Sequence, residues 1–420
     1  MAAWGQSLTP AIVASNPPAI FSEAADSGAY SSGVREVESA RRDLASCRAH
    51  KVTDLPGSHQ FAGDFIEAMA SDPAAGARNR NVVWALTADL ASAVPAPERA
   101  LYISRSTNGG KTWAQVARIG PEYFDAAISE GLRNGLGVSP GGADFVITTQ
   151  EGAFQVFPRA NPADPVVKPI AGPRVPRIRP DVVIAKKAGD PVRAGMVVMT
   201  ADGKHMIIGY GYFDDNPQLF TYHRDAGGAW VEDGTLPHLP TDLDIFSMQF
   251  DDPKKPHPDS LYVGTGDQAY HLNFQTMQWN RVAGVGPDSA IHSMSVVDGL
   301  HIAACWGVYN PVNADTVTRV TSARFLLHRG RDEVGPNIRA YGIAVDPLRP
   351  NREVLAAITG AYISRDSGRS WERLNDLPEG EFHSAHFNSD GTVIVSGFVG
   401  TYLVNPFSSA CAPRLNTRVR

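Results

Sequence analysis

Residues 342–374 read GIAVDPLRPNREVLAAITGAYISRDSGRSWERL, and the order of the parts in that stretch decides the fold. A short apolar run closes on Asp346-Pro347, and a β-branched run follows. A glycine turn then leads into an aromatic-bearing run that ends at Trp371. Alternation and β-branching are strand signals, and Asp-Pro and glycine mark the turns between them. Related openings recur along the chain as FIEAMASDP, LGVSPGG, VVIAKKAGDP, SMQFDDP, SMSVVDG and SAHFNSDG, which makes seven starts. Each is followed by a second apolar run: VVWALTA, DFVITTQ, HMIIGYG, SLYVGTG, HIAACWG, EVLAAIT and TVIVSGF. Asp72, Asp252 and Asp346 each precede a proline and lie 180 and 94 residues apart, close to four and two units of one length. Seven units of four short strands imply an all-β, seven-bladed propeller, a closed ring that leaves little free sheet edge. Six blades with an irregular segment is the alternative count.

The aromatic run carries a phrase closed by tryptophan. It reads Ser106-Thr107-Asn108-Gly109-Gly110-Lys111-Thr112-Trp113 in its first copy and Ser364-Arg365-Asp366-Ser367-Gly368-Arg369-Ser370-Trp371 in its last. A third copy, 223–230, keeps Asp225, a glycine and Trp230, and a fourth keeps little beyond Trp279. Glycine accepts the positive φ of a tight turn, Asp or Asn accepts hydrogen bonds from turn amides, and the indole supplies a large area to bury. Asn108, Asp225 and Asp366 are therefore read as turn residues, since an amide at 108 cannot serve as a catalytic acid. The phrase resembles the Asp-box, or BNR repeat, of sialidases and related β-propellers. The resemblance implies that the box joins the third strand of a blade to the fourth, on the face away from the active site.

The chain divides into a non-repeating segment over 1–60, a propeller over 61–408 and a tail over 409–420. The spacing of Val34, Val37 and Leu44 suits a short helix. The last unit supplies three strands and no box, so a strand from the N-terminal segment is expected to complete it. The same geometry would bring Cys47 near Cys411, where a disulfide would lock the ring and imply an oxidising compartment. A secreted or periplasmic location is expected on that ground, although the start lacks the charged and apolar regions of an export signal. A net charge of -6 with no basic run argues against nucleic acid as a partner. No apolar stretch approaches the roughly 18 residues of a spanning helix. A monomer is expected.

The loops that lead into the innermost strands converge on one end of a propeller, together with the turns joining second to third strands. They gather titratable groups here. Asp64, Asp181, Asp244, Asp288, His292, Tyr341 and Glu381 are the catalytic candidates. Arg177, Arg179 and Arg339 are placed to bind an anion, because guanidinium forks take carboxylate, sulfate or phosphate in two-point contact. Tyr210, Tyr212, Trp306 and Tyr309 offer stacking surfaces for sugar rings, and His383 joins them as a binding residue. No cofactor is expected. A divalent metal is possible, with His59, His292 and His386 as ligand candidates, but H-x-x-H on a regular strand points its two rings to opposite faces.

In sialidases such a face holds three arginines, a Tyr–Glu pair and an acidic residue, and Arg339, Tyr341 and Glu381 match part of that set by type. Asp-box glucanases instead oppose two carboxylates, which need separations of roughly 5–9.5 Å. The expected function is a glycoside hydrolase or polysaccharide lyase acting on a polyhydroxylated or anionic ligand at the channel mouth. The alternative is a binding or assembly propeller without catalysis.

Overall fold

The computed structural model describes residues 49–56, 66–72, 81–88, 98–123, 135–174, 189–211, 217–287, 289–320 and 338–407, with the backbone alone of Phe325–Leu327 and Asp332–Val334. Seven antiparallel sheets form a ring, a seven-bladed all-β propeller. Their innermost strands are Ile66–Ser71, Leu136–Val138, Ala194–Met199, Ile245–Phe250, Ile291–Val296, Ala340–Val345 and Phe382–Phe387, defining blades I to VII. Each of these strands touches its counterpart in the next blade, and blade VII touches blade I. Blade VII is built from two ends of the chain. Its strands Phe382–Phe387, Val393–Gly397 and Gly400–Val404 are joined by His50–Lys51, which pairs antiparallel with Tyr402 and Leu403. Blade VI is extended on its outer edge, where Phe325–Leu327 runs parallel to Trp371–Arg373 and carries Asp332–Val334. Cys47, Cys411 and the stretch expected as a short helix lie outside the described residues.

The second strand of each blade explains why the repeats read as nearly unbroken apolar runs. Val83–Ala88 is buried throughout, with Val83 and Ala85 facing blade VII and Trp84 and Leu86 facing blade II. Side chains alternate between the two faces of a strand, so a sheet covered on both sides must be apolar at every position. Seven apolar clusters follow from this, one at each junction between neighbouring blades.

The tryptophan-closed turns sit between third and fourth strands. Leu101–Ser106 and Ala114–Ile119 flank the first, and Gly360–Ser364 and Trp371–Arg373 flank the last. In the first, the Ser106 hydroxyl donates to Asn108 Oδ1, and the amides of Gly110 and Thr112 donate to Ser106 Oγ and Asn108 Oδ1. The last repeats the set, with Ser364 Oγ to Asp366 Oδ1 at 2.8 Å, Gly368 N to Ser364 Oγ at 2.8 Å and Ser370 N to Asp366 Oδ1 at 2.9 Å. Asp225 accepts the corresponding bond from Ala229 N. Gly110 and Gly368 both have positive φ, 86° and 72°. Each indole packs backwards: Trp113 lies at the VII–I junction, Trp230 at II–III and Trp371 at V–VI. Trp371 is 1% exposed, and its Nε1 donates to Gly368 O.

Candidate functional site

The end of the ring opposite these turns is held together by one repeated bond. The residue after the second strand donates its amide to the residue that leads into the first. It joins Gly211 to Arg193, Gly266 to Asp244, Cys305 to Ala290, Ile358 to Arg339 and Phe398 to Glu381. Loops leading into the inner strands and turns between second and third strands therefore share one mouth.

Just inside that mouth, six of the seven inner strands carry a register shift at their second residue. Ile66 and Ala68, Ala194 and Met196, Ile245 and Ser247, Ile291 and Ser293, Ala340 and Gly342, and Phe382 and Ser384 oppose consecutive partners. A bulge of this kind leaves one extra residue and re-aims its side chain. The extra residues are Glu67, Gly195, Phe246, His292, Tyr341 and His383. The residue after the bulge is small where blades crowd. Ser247 Oγ donates to Ile291 O, and a Cβ on Gly342 would sit 2.5 Å from His383 O.

From blade IV to blade VII the re-aimed rings form a continuous row. Phe246 meets His292 at 5.7 Å, His292 meets Tyr341 at 5.1 Å, and Tyr341 stacks on His383 at 4.5 Å with 12° between planes. Phe398 closes the row edge-on to His383 at 4.7 Å. Around the Tyr341–His383 stack the polar groups gather. His383 Nε2 lies 3.0 Å from Glu381 Oε1, the Tyr341 hydroxyl is hydrogen-bonded to the same carboxylate, and the Arg339 guanidinium lies 5.4 Å above the Tyr341 ring. The His383 imidazole holds the Glu381 carboxyl below its ordinary range against the upward pull of burial. The Tyr341 hydroxyl and the Arg339 charge add to the lowering. Burial pushes the Tyr341 phenol well up, and its bond to Glu381 and that group's charge push the same way. At neutral pH the pair is thus a carboxylate beside a protonated phenol. One blade away, His292 Nε2 lies 3.0 Å from Cys305 Sγ, and neighbouring Trp306 is 54% exposed with its carbonyl bound by Arg319.

Of the candidates drawn from sequence, His292, Tyr341, Glu381, Arg339 and His383 are thus brought together. Asp244 stands half-buried on the loop into blade IV. Asp64, Asp181, Asp288, Arg177, Arg179, Tyr212 and His59 lie outside the described residues. Tyr210 and Tyr309 are not platforms: they are 3% and 1% exposed. Tyr210 closes a second strand with its hydroxyl 3.0 Å from that of Tyr222, and burial pushes its phenol up to about 12. Tyr309 lies within the strand Gly307–Asn313 and accepts from Gly286 N. His386 does not join His292 either, since it faces Ser71 Oγ in blade I at 3.4 Å. Among the described residues no three His, Cys, Asp or Glu side chains are grouped to hold a metal ion. Phe246 and Phe398 were not singled out from sequence. Their signal is a ring directly before a small residue or just after a second strand, as in Phe246-Ser247 and Gly397-Phe398.

No protein-family model matches the chain, and no curated protein matches it in sequence. Solved structures do resemble it. A GH74 enzyme from Niastella koreensis is 18% identical with a TM-score of 0.54, over 80% of this chain and 50% of that one. A GH74 xyloglucanase from Xanthomonas campestris is 14% identical with a TM-score of 0.53, over 88% of this chain and 60% of that one. The extracellular domain of a putative hybrid two component system from B. thetaiotaomicron is 12% identical with a TM-score of 0.50, over 86% of this chain and 42% of that one. The chain thus spans 50% and 60% of the two GH74 enzymes' lengths. At these identities the likeness is one of fold, the β-propeller. No helix among the described residues is long and apolar enough to cross a membrane.

Proposed function

We propose that the protein is a carbohydrate-active enzyme, a glycoside hydrolase or polysaccharide lyase, whose polyhydroxylated or anionic ligand binds at the channel mouth over blades V to VII. The observation that carries this reading is the meeting of Glu381, His383, Tyr341 and Arg339 around one ring stack. It supplies a carboxylate, an imidazole, a phenol and a guanidinium within one contact network. General acid–base catalysis needs paired groups of this kind held in fixed geometry. The exposed indole of Trp306 adds a surface on which a sugar ring stacks. The GH74 enzymes support the reading through fold, and the turn geometry at Asn108 and Asp366 supports kinship with the Asp-box propellers. A monomer that works outside the cytoplasm suits such a ligand.

The test is turnover of an oligosaccharide panel by the native protein and by Glu381→Gln and Arg339→Ala. A loss of about 100-fold in each variant, with the fold retained, is the expected result. Equal turnover in all three would place the chemistry elsewhere. Binding of a glycan with no turnover in the native protein would instead make this a non-catalytic binding propeller.

A further inference from the structure

Box tryptophans plug the VII–I, II–III and V–VI junctions, and the junction between blades III and IV has none. We infer that this junction is a binding pocket for a planar aromatic ligand with an N–H donor, a compound of the indole class.

Equivalent positions show what fills the space elsewhere. At the VII–I junction Trp113 packs on Ile394 and Leu403, which lie opposite each other on the second and third strands of blade VII. Asn388, the residue after the inner strand, donates Nδ2 to Gly109 O in the same box turn. In blade III these three places belong to Ile207, Thr221 and Thr200. Ile207 lies opposite Thr221, and Thr200 N bonds to His205 O as Asn388 N does to Thr392 O. All three line a cavity of about 230 Å³, so the cavity is the seat of a box indole.

Blade IV explains why the seat is open. Its third and fourth strands are joined by a turn too short for the box, with Asn273 paired directly to Gln278. In blade III, Trp230 lies opposite Arg224, whose amide donates to Lys204 O ahead of the second strand. The matching residue of blade IV is Phe274, whose amide donates to Asp259 O, yet Trp279 lies opposite Leu272, two places nearer the mouth. There Trp279 donates Nε1 to Pro237 O at 3.0 Å.

Size and lining select the ligand. The floor is apolar, with Met206, Leu236, Phe250 and Phe274 beside Ile207. An apolar cavity of roughly 150 Å³ accepts benzene, so this one has room for a fused pair of rings. The rim is polar and exposed. His205 from blade III and His257 from blade IV stand there with ring centroids 5.9 Å apart, and Asp233 brings a carboxylate. Asp233 Oδ1 lies 2.5 Å from His223 Nδ1, and the carboxylate has no other partner among the described residues. Its second oxygen can therefore accept a charge-assisted bond from a ring N–H. Burial of the ring faces against the apolar floor supplies the rest of the binding.

The experiment titrates the native protein by calorimetry with indole and with 1-methylindole, which keeps the rings and lacks the donor. Indole should saturate one site per chain, and 1-methylindole should bind about 10-fold more weakly. Asp233→Ala, a surface change, should bind the two compounds alike. Thr221→Trp puts one of the chain's own indoles into the seat and should abolish binding of both. Where Thr221→Trp does not fold, the comparison of native protein with Asp233→Ala decides. No saturable binding of indole by the native protein would overturn the pocket, as would full binding by folded Thr221→Trp protein. Equal binding of both compounds by the native protein, or a preference kept in Asp233→Ala, would overturn the part given to Asp233.

Discussion

The two ends of the ring use polar groups in opposite ways. At the tryptophan-closed turns the side chains bond locally, Ser364, Asp366, Gly368 and Ser370 satisfying one another within seven residues, while the turn backbone accepts from neighbouring blades, Asn310 Nδ2 donating to Ser367 O and Asn388 Nδ2 to Gly109 O. At the mouth, Arg339 and Tyr341 come from blade VI, Glu381 and His383 from blade VII, and His292 and Cys305 from blade V. Local bonding fixes a turn and commits its polar atoms. Convergence from several blades assembles groups that no single segment could hold, and leaves some of them facing solvent. The difference teaches where stability resides and where the proposed chemistry would lie: the turns with their indoles fasten blade to blade, and the mouth is the end at which the proposed site stands.

The largest expected effect lies at the turns. Replacing Trp371 by Ala empties a fully buried site at the V–VI junction and should cost about 3–5 kcal/mol, read from urea unfolding, with turnover per folded molecule unchanged. A matching change at the mouth should do the reverse. Tyr341→Phe keeps the ring row and should lower turnover by about 100-fold, with the unfolding midpoint nearly the same.

A finer test separates the two best turns by charge. Asp366 has its carboxyl lowered: burial pushes it up, but bonds from the Ser370 side chain and amide, from Ser364 and from the Arg369 amide outweigh that push. A folded-state pKa below the unfolded one adds stability above the unfolded value, about 3.8, that disappears as pH falls through the folded value. Asn108 does the same structural work without a charge. Asp366→Asn should therefore flatten the acid limb of the stability curve, and Asn108→Asp should steepen it. Equal acid limbs in native protein and both variants would show that the two turns do not differ as described.

The smallest effect concerns one backbone angle. Ser367 sits at φ 59°, where the first copy has Gly109 at 71°. Ser367→Gly should stabilise by about 0.5 kcal/mol, since relief of the left-handed strain exceeds the added freedom of the unfolded chain only slightly. A loss of stability in thermal unfolding would mean the serine side chain contributes more than its strain costs.

Much of the ring was legible because its signals are local. The Asp-Pro turn at 346–347 and the β-branched run before Gly360 need no knowledge of the partner strands, so the count of seven blades was legible, with six of the seven starts on inner strands and the third, VVIAKKAGDP, ahead of the inner strand Ala194–Met199 that blade III uses. The mouth was legible by residue type and only partly by position. Glu381 and Tyr341 were singled out as parts of a set, but their contact depends on bulges at 341 and 383, which are properties of pairing between strands. The length of the turns explains the misplaced tyrosines. Tyr210 and Tyr309 read as turn residues because a turn's length is not fixed by composition. The observed turn after Ala304 is only Cys305-Trp306, which leaves Tyr309 inside a strand and buries it.

The most direct test of the division between fastening turns and reactive mouth is turnover per folded molecule in Glu381→Gln, measured on the glycan the native protein cleaves. A fall of about 100-fold with an unchanged unfolding midpoint is the predicted result. Native turnover in that variant, or a loss that merely tracks a loss of folded protein, would contradict the account.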